Sequence, residues 1–160
     1  METRNRVRGI AHDLNVGKIT VVGVPDRPGL AAAIFEPLAK AGISVDVIVQ
    51  NVSVDGKTDQ SFTVARGDLA KAMRIVEPVA KEIGARQLLS SDNLGKVSIV
   101  GAGIQSAPGI AATMFKALYE AGINIEMITT SEIRITCIVD RERVPEAVEK
   151  LHAVFELDKP

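Results

Sequence analysis

Apolar residues along this chain follow two rhythms, and the change from one to the other marks its elements. Residues 18–24, KITVVGV, are a β-branched run long enough for a buried strand and too short for a helix. After a short polar loop, Leu30, Ile34, Leu38 and Ala41 keep helical spacing, and Gly42 follows as a C′ residue. Pro28 is placed as a first-turn proline, and Pro37, inside the predicted helix, should kink it. SVDVIVQNV (44–52) and QSFTVAR (60–66) alternate as strands about an Asp55-Gly56 turn, a strong hairpin signal. LAKAMRIVEPVAKEIG (69–84) is a second amphipathic helix, with Pro78 inside it. INIEMIT (123–129) and IRITCIV (133–139) then predict a further strand pair, and VPEAVEKLHAVF (144–155) a further helix.

The second series repeats the first. Setting Lys18 over Lys96, an offset of 78, aligns KITVVGV with KVSIVGA. The following loop is two residues longer in the second copy, so the offset becomes 80 from Pro28/Pro108 onward. PGLAAAIFEPLAKAGISVDVIVQN then lies over PGIAATMFKALYEAGINIEMITTS with ten of twenty-four positions identical, including Pro28/Pro108, Gly29/Gly109, Phe35/Phe115, Leu38/Leu118 and Gly42/Gly122. Shared composition does not keep Pro, Gly and Phe in register; the chain is a duplication. Because Ala117 stands where the first copy has Pro37, a kink there is not essential to the fold.

The ends of the repeat carry topology. ARQLLSSDNLGK (85–96) predicts a fourth strand after the first copy's last helix, whereas only ELDKP follows the second copy's. RGIAHDLNVGK at the N-terminus matches RQLLSSDNLGK at offset 78 through Arg8/Arg86, Asn15/Asn93, Gly17/Gly95 and Lys18/Lys96. A connection of about two residues should join Ala85–Asp92 to its own unit. The N-terminal strand, near Val7–Asp13, is then left to complete the other. The expected fold is α+β: two ferredoxin-like βαββαβ units, residues 16–93 inserted within a second unit made of 1–15 plus 94–160.

Composition narrows function by exclusion. The chain has 160 residues, 46% hydrophobic and 24% charged, with net charge −1, a balance that argues against a dedicated nucleic-acid binder. With no Trp, one Tyr and four Phe it has an aliphatic core and no aromatic platforms for stacking bases. A single cysteine, Cys137, excludes a disulfide framework and a cysteine-based zinc cluster, and suits a reducing cytoplasm. No apolar run reaches the length of a membrane span, and METRNRVRG has no signal-peptide core. No Ser/His/Asp or Cys/His arrangement and no metal-ligand cluster supports a stand-alone enzyme, and no cofactor is implied.

A unit opening strand–loop–Pro-Gly–helix, as VVGVPDRPGLAAAIFEPLAKAGISV does, resembles the ACT domain, a small-molecule sensing module that commonly binds amino acids. ITVVGVPDRPG, VDVIVQNVS, VSIVGAGI and NIEMITTSEIRIT are together similar to the regulatory region of bacterial aspartokinases, across essentially the whole chain. The amino-acid-kinase domain of that family, with its N-terminal Lys and Gly-rich nucleotide site, is absent from this sequence. A chain beginning at Met1 and holding only this region resembles the separate small β subunit of α2β2 aspartokinases. The resemblance implies a cytoplasmic, non-catalytic homodimer that pairs with a catalytic α subunit. It implies feedback inhibition by threonine, lysine or both, with threonine ranked first.

In that family the effector lies between the first unit of one chain and the second unit of a partner. Carried over, Asp26, Gly29, Leu30 and Ala31 form one wall of a first site. Gln50 lies on the following strand, and Asn124 and Ile125 come from the other copy. The related place in the second unit is Gln105, Ser106, Gly109 and Ile110, closed by Val45 and Asp46 of the other copy, with Thr130 and Ser131 nearby. Physical chemistry supports these places: a helix N-terminus offers unpaired N–H groups and positive potential to an α-carboxylate. Glycine permits close approach, and Asp26 supplies a counter-charge for an α-ammonium. Only the first loop carries a carboxylate, so the second site must neutralise an ammonium otherwise, for instance with Asp46.

Plainer readings stand beside these. By periodicity alone, Asp26-Arg27-Pro28-Gly29 is a turn with a helix N-cap, and Ser131-Glu132 is equally an ordinary hairpin turn. Gly101-Ala102-Gly103 follows a strand, but Ser106 replaces the third glycine of a dinucleotide motif and the strands read as antiparallel. His12 and His152 lack ligand spacing and read as a strand residue and an exposed helix residue. Cys137 alternates with Ile135 and Val139 as core, and Glu146, Glu149 and Lys150 read as a solvated helix face. A regulatory subunit of another amino-acid enzyme, such as acetolactate synthase, is the alternative, against which the tandem insertion topology speaks.

Overall fold

The computed structural model describes residues 6–52 and 55–157. Its strands are β1 (Gly9–Pro25), β2 (Ile48–Val52), β3 (Lys57–Val64), β4 (Gln87–Val100), β5 (Met127–Thr130) and β6 (Arg134–Asp140). Its α-helices are α1 (Leu30–Lys40), α2 (Leu69–Glu82), α3 (Pro108–Glu120) and α4 (Val144–Val154). The chain divides into two compact units, Asn15–Asp92 and Met1–Leu14 with Asn93–Pro160. Residues 1–5 and 158–160 of the expected second unit, and 53–54 of the expected hairpin, lie outside the described residues.

In the first unit the strand order is β2-β3-β1-β4. β3 is antiparallel to both β1 and β2, with Ile19 opposite Phe62, Val21 opposite Gln60 and Gln50 opposite Gln60. The Arg86 N–H donates to the Val22 carbonyl at 2.9 Å, tying the start of β4 to the end of β1. One face of these strands (Ile19, Val21, Phe62, Val64) is covered by Leu30, Ile34 and Leu38 of α1 and Ala72, Val76 and Ala80 of α2. Those helix positions repeat every four residues, so each helix buries one stripe. Phe62 meets Phe35 edge-on with centroids 5.1 Å apart.

The second unit has the order β1-β4-β6-β5. β6 is antiparallel to β4 and β5, with Val97 opposite Cys137 and Thr130 opposite Ile135. The Arg8 N–H donates to the Val100 carbonyl at 2.7 Å, tying the start of β1 to the end of β4. Its core is Val97, Ile99, Ile135, Cys137 and Val139 under Ile110, Met114 and Leu118 of α3 and Ala147 and Leu151 of α4. Both units are ferredoxin-like in layout, as the repeat predicts.

Three local expectations are revised. β1 and β4 are single strands of 17 and 14 residues, where Val7–Asp13 and residues 18–24, and Ala85–Asp92 and KVSIVGA, read as separate shorter strands. Gly17 and Gly95 lie inside them, against the first residues of α2 and α4. A Cβ on Gly17 would stand 3.1 Å from Leu69 Cβ, and one on Gly95 2.4 Å from Val144 Cγ2. Here glycine makes room for a helix rather than ending a strand. Pro28 lies ahead of α1, which opens after Gly29, whereas Pro108 is inside the first turn of α3. β2 and β5 begin at Ile48 and Met127, several residues into the segments that predicted them, 44–52 and 123–129.

Glu146 is also more than a solvated helix residue. Its Oε2 accepts from Arg143 Nη2 at 2.9 Å and Nε at 3.1 Å. Arg143 in turn donates to the carbonyls of Ala121 (2.7 Å) and Gly122 (3.2 Å), closing the C-terminus of α3. A cation on a helix C-terminus satisfies orphan carbonyls and opposes the macrodipole. In the first unit Lys71 Nζ reaches the matching Ala41 carbonyl at 3.3 Å.

Candidate helix N-terminal sites

The loop Asp26–Gly29 connects β1 to α1 in the first unit. It is held from one side, where the Asp26 N–H donates to the carbonyl of Gly56 in the β2–β3 turn at 2.9 Å. β1 enters it through a bulge at Gly23, whose register shifts between Val21 and Val24. Asp59 Oδ1 accepts the Gly23 N–H at 2.8 Å, so a carboxylate on β3 fixes that bulge. The Asp26 side chain is exposed. Gly29 has φ 87° and ψ −5°, the left-handed conformation that glycine adopts without penalty. A Cβ on Gly29 would meet no atom within 4 Å, so the space in front of this helix end is open. No side chain caps the helix and its first turn holds no acidic residue. The first-turn N–H groups thus face outward with the positive end of the dipole behind them. Leu30 is buried beneath and Ala31 is exposed.

Gln50 is exposed on β2, opposite Gln60 on β3, and Gln60 Nε2 donates to Gln50 Oε1 at 3.1 Å. Gln60 is buried, and its Oε1 has no hydrogen-bond partner among the described residues. An unanswered buried acceptor costs about 1–3 kcal/mol. Gln60 is not among the residues that sequence pattern and resemblance single out. Its one signal is a polar residue among Thr58, Gln60, Phe62 and Val64, the alternate positions that face the helices.

The second unit's loop is built differently. After β4, Gly103 (φ 71°) leads into a 3-10 turn, Ile104–Ser106, before α3. Gln105 and Ser106 are exposed on this turn, and the Ser106 N–H donates to the Gly103 carbonyl at 3.1 Å. Gly109 lies inside α3, where its carbonyl accepts from Thr113 Oγ1 at 2.7 Å, and Ile110 is buried. Arg6 Nη1 donates to the Gly103 carbonyl at 2.9 Å, so this loop already holds a cation from its own unit. A Cβ on Gly101 would fall 1.7 Å from the Arg6 carbonyl oxygen. Neither of these contacts is foreseen by the repeat. Thr130 is exposed at the end of β5, and the Ser131 N–H donates to the Arg134 carbonyl at 2.8 Å, which makes Ser131–Arg134 a turn. Where the first unit has the pair Gln50/Gln60, the second has Thr130/Ile135, and Ile135 is part of the core.

The remaining candidates lie on the approaches to the edge strands. Val45 and Ile125 are half-buried at matching places before β2 and β5, with Asp46 and Asn124 exposed beside them. The Asp46 N–H donates to the Thr63 carbonyl at 3.0 Å. The structure brings Asp26, Gly29, Leu30 and Ala31 together in one turn of the first unit, and Gln105, Ser106, Gly109 and Ile110 in the matching turn of the second. His12 is exposed on β1 and His152 half-buried on α4. No group of three or more His, Cys, Asp or Glu among the described residues could hold a metal ion. Cys137 is buried in the second core, which pushes its thiol pKa up to about 12. No helix among the described residues is long and apolar enough to cross a membrane.

Comparison with known proteins agrees with this architecture. The ACT domain family matches twice, at residues 19–78 and 97–155. Aspartate kinase of Stutzerimonas stutzeri is 45% identical over 154 residues, covering 96% of this chain and 37% of that protein. Aspartokinase of Mycolicibacterium smegmatis is 47% identical over 151 residues, 93% of this chain and 36% of that one. The chain therefore spans little more than a third of the length of these relatives. Among solved structures, the regulatory subunit of aspartate kinase from Thermus thermophilus, in ligand-free form, superimposes with a TM-score of 0.89 at 41% identity. That match covers 94% of this chain and 99% of that one. A chain from the crystal structure of aspartokinase alpha and beta subunits superimposes with a TM-score of 0.88 at 45% identity, with the same coverage. Two matched repeats of the fold just described, aligned nearly end to end with a regulatory subunit, place this chain in the ACT domain family, as an ACT pair homologous to the regulatory part of aspartokinases.

Proposed function

We propose that this chain is the regulatory subunit of an aspartokinase, binding an end-product amino acid and relaying its presence to a catalytic α subunit. Threonine is the first candidate effector and lysine the second. The observation that carries the reading is the open, uncapped N-terminus of α1, with left-handed Gly29 at its mouth and Asp26 beside it. The effector's α-carboxylate takes the first-turn N–H groups, and Asp26 opposes its α-ammonium. A second copy of the chain completes the site, so the working form is a homodimer in the cytoplasm. Effector binding favours one arrangement of that dimer, and the arrangement biases the kinase by the difference in effector affinity between the two states.

Calorimetric titration of the purified chain with threonine, lysine, methionine and leucine tests this, with light scattering to read the mass. Saturable threonine binding by a dimer is expected. A chain that stays monomeric at saturating threonine, or that binds none of the four, would overturn the reading. Adding the catalytic subunit then measures whether threonine lowers aspartate phosphorylation only when this chain is present.

A further inference from the structure

Among its described residues the first unit buries one polar side-chain atom without a partner. Gln60 is 2% exposed, and its Oε1 is the single buried side-chain nitrogen or oxygen without a hydrogen-bond partner among the described residues. Its Nε2 is engaged with Gln50 Oε1 at 3.1 Å. Turning both amides over would leave Nε2 orphaned instead, so half of this amide lacks a partner in either setting. The nearest side-chain donor along that face of β3 is no help, because the Thr58 hydroxyl gives its proton to the Asn51 carbonyl.

The register locates this atom. Gln60 stands one rung beyond Phe62 toward the end of β1, opposite Val21 rather than Ile19. Phe62 packs against Phe35, which lies five residues into α1, about 7.5 Å from the helix start at 1.5 Å per residue. One rung of a strand is about 6.7 Å. Since α1 returns along β1 from the loop at its end, the step from Phe62 to Gln60 leads under the first turn of α1. An uncapped end of an 11-residue helix and an unpartnered buried amide thus converge on one place. In the second unit the matching residue is Ile135, 3% exposed and part of the core, so no such acceptor exists there.

We propose that Gln60 is a specificity-determining residue of the first unit, its Oε1 accepting a hydrogen bond from the side-chain hydroxyl of a bound hydroxy-amino acid. This rests on the amino-acid-sensor reading and deepens it. A neutral acceptor suits a hydroxyl. A side-chain ammonium carried to the same depth would find no counter-charge, since the buried polar side chains among the described residues are Thr58, Gln60, Thr63, Ser98 and Thr136, all uncharged. A hydrocarbon isostere would leave the amide as unanswered as it is in the free protein.

The test is calorimetry on the full chain with L-threonine and L-valine, which differ at one hydroxyl, and with L-lysine. Wild type should prefer threonine over valine by tenfold or more and bind lysine more weakly than threonine. Gln60→Ile, the residue of the second unit, should lose at least tenfold in threonine affinity and none in valine affinity, bringing the ratio near one. Its urea midpoint should not fall, because the substitution removes an unanswered group; Gln60→Met gives the same comparison if Gln60→Ile does not fold. A threonine-to-valine ratio kept in both variants, or equal losses for both ligands, would overturn the assignment of Gln60 alone. A wild-type chain that binds neither amino acid would overturn the sensor reading with it.

Discussion

Replacing Gly95 by alanine should destabilise the second unit, and the structure sets the size of the effect. The added Cβ would lie 2.4 Å from Val144 Cγ2, over 1 Å inside ordinary carbon–carbon contact. It would also touch the Asp13 carbonyl oxygen at 3.4 Å and Leu14 Cδ2 at 3.5 Å. Val144 is the first residue of α4 and lies in the core, so it cannot swing away. Overpacking of this kind costs about 1–3 kcal/mol. Gly95 is not among the glycines with positive φ, so alanine also restricts the unfolded chain and returns about 0.4–1 kcal/mol. The net expectation is a loss of about 1–2 kcal/mol. Gly17→Ala is the internal control: its Cβ would meet only the half-buried Leu69 side chain at 3.1–3.3 Å, and its effect should stay within about 0.5 kcal/mol. With no tryptophan to report, urea unfolding is best followed by far-ultraviolet circular dichroism. At a slope of about 1–3 kcal/mol/M, Gly95→Ala should move the midpoint down by about 0.5–1 M. On a Val144→Ala background the same change should be neutral or stabilising, because the methyl it strikes is gone. A Gly95→Ala protein as stable as wild type would refute the account of why glycine stands inside this strand.

Other expectations follow from single contacts. Asp26→Ala should weaken effector binding at the first site by well over tenfold, since losing one side of a closely held charge pair costs about 2–5 kcal/mol. Ser106→Ala should cost about 1 kcal/mol or less; equal losses by calorimetry would mean that the ammonium is misplaced. Arg143→Ala should lower stability by about 1–2 kcal/mol, because it uncovers the Ala121 and Gly122 carbonyls at the end of α3. Its hydrogen-exchange signature is faster exchange confined to the second unit, and uniform loss across both units would contradict the capping role. The Cys137 thiol is raised from 9.0 to about 12, so the unfolded chain deprotonates first and stability should fall as pH rises from about 9 toward 12. Alkylation at pH 8 should accordingly be negligible in buffer and rapid in denaturant; fast labelling of the native chain would show that Cys137 is not sequestered.

The duplication was legible because the residues that survive it are those with no substitute. Gly42 and Gly122, each at positive φ after a helix, and Leu38 and Leu118, each buried against its sheet, stayed in register through divergence elsewhere. Helix bounds followed from apolar spacing to within a residue or two: Leu30–Lys40 against apolar positions that run from Leu30 to Ala41, Val144–Val154 against 144–155. The loop residues Asp26, Gly29, Gln105 and Ser106 were found through resemblance, and periodicity alone left them as turns. The role of Gly17 and Gly95 was not legible, because a glycine has the same letter whether it breaks a strand or clears space for a helix. Only the position of Val144 against Gly95 tells these apart.

What the sequence determined by itself was therefore periodic and local: which segments are strands or helices, which face each buries, and that one unit was copied into two. These depend on spacing along the chain, and spacing is written in it. What the tertiary structure alone decided depends on residues distant in sequence meeting in space. Arg6 reaches the Gly103 carbonyl across 97 positions, and Arg143 reaches the Gly122 carbonyl, just past the end of α3, across 21. The sharpest case is Gln60, one letter in an alternating strand. Its amide was buried only when β2 and β3 paired and the first unit's core closed, which left it Gln50 as side-chain partner and an Oε1 without one among the described residues.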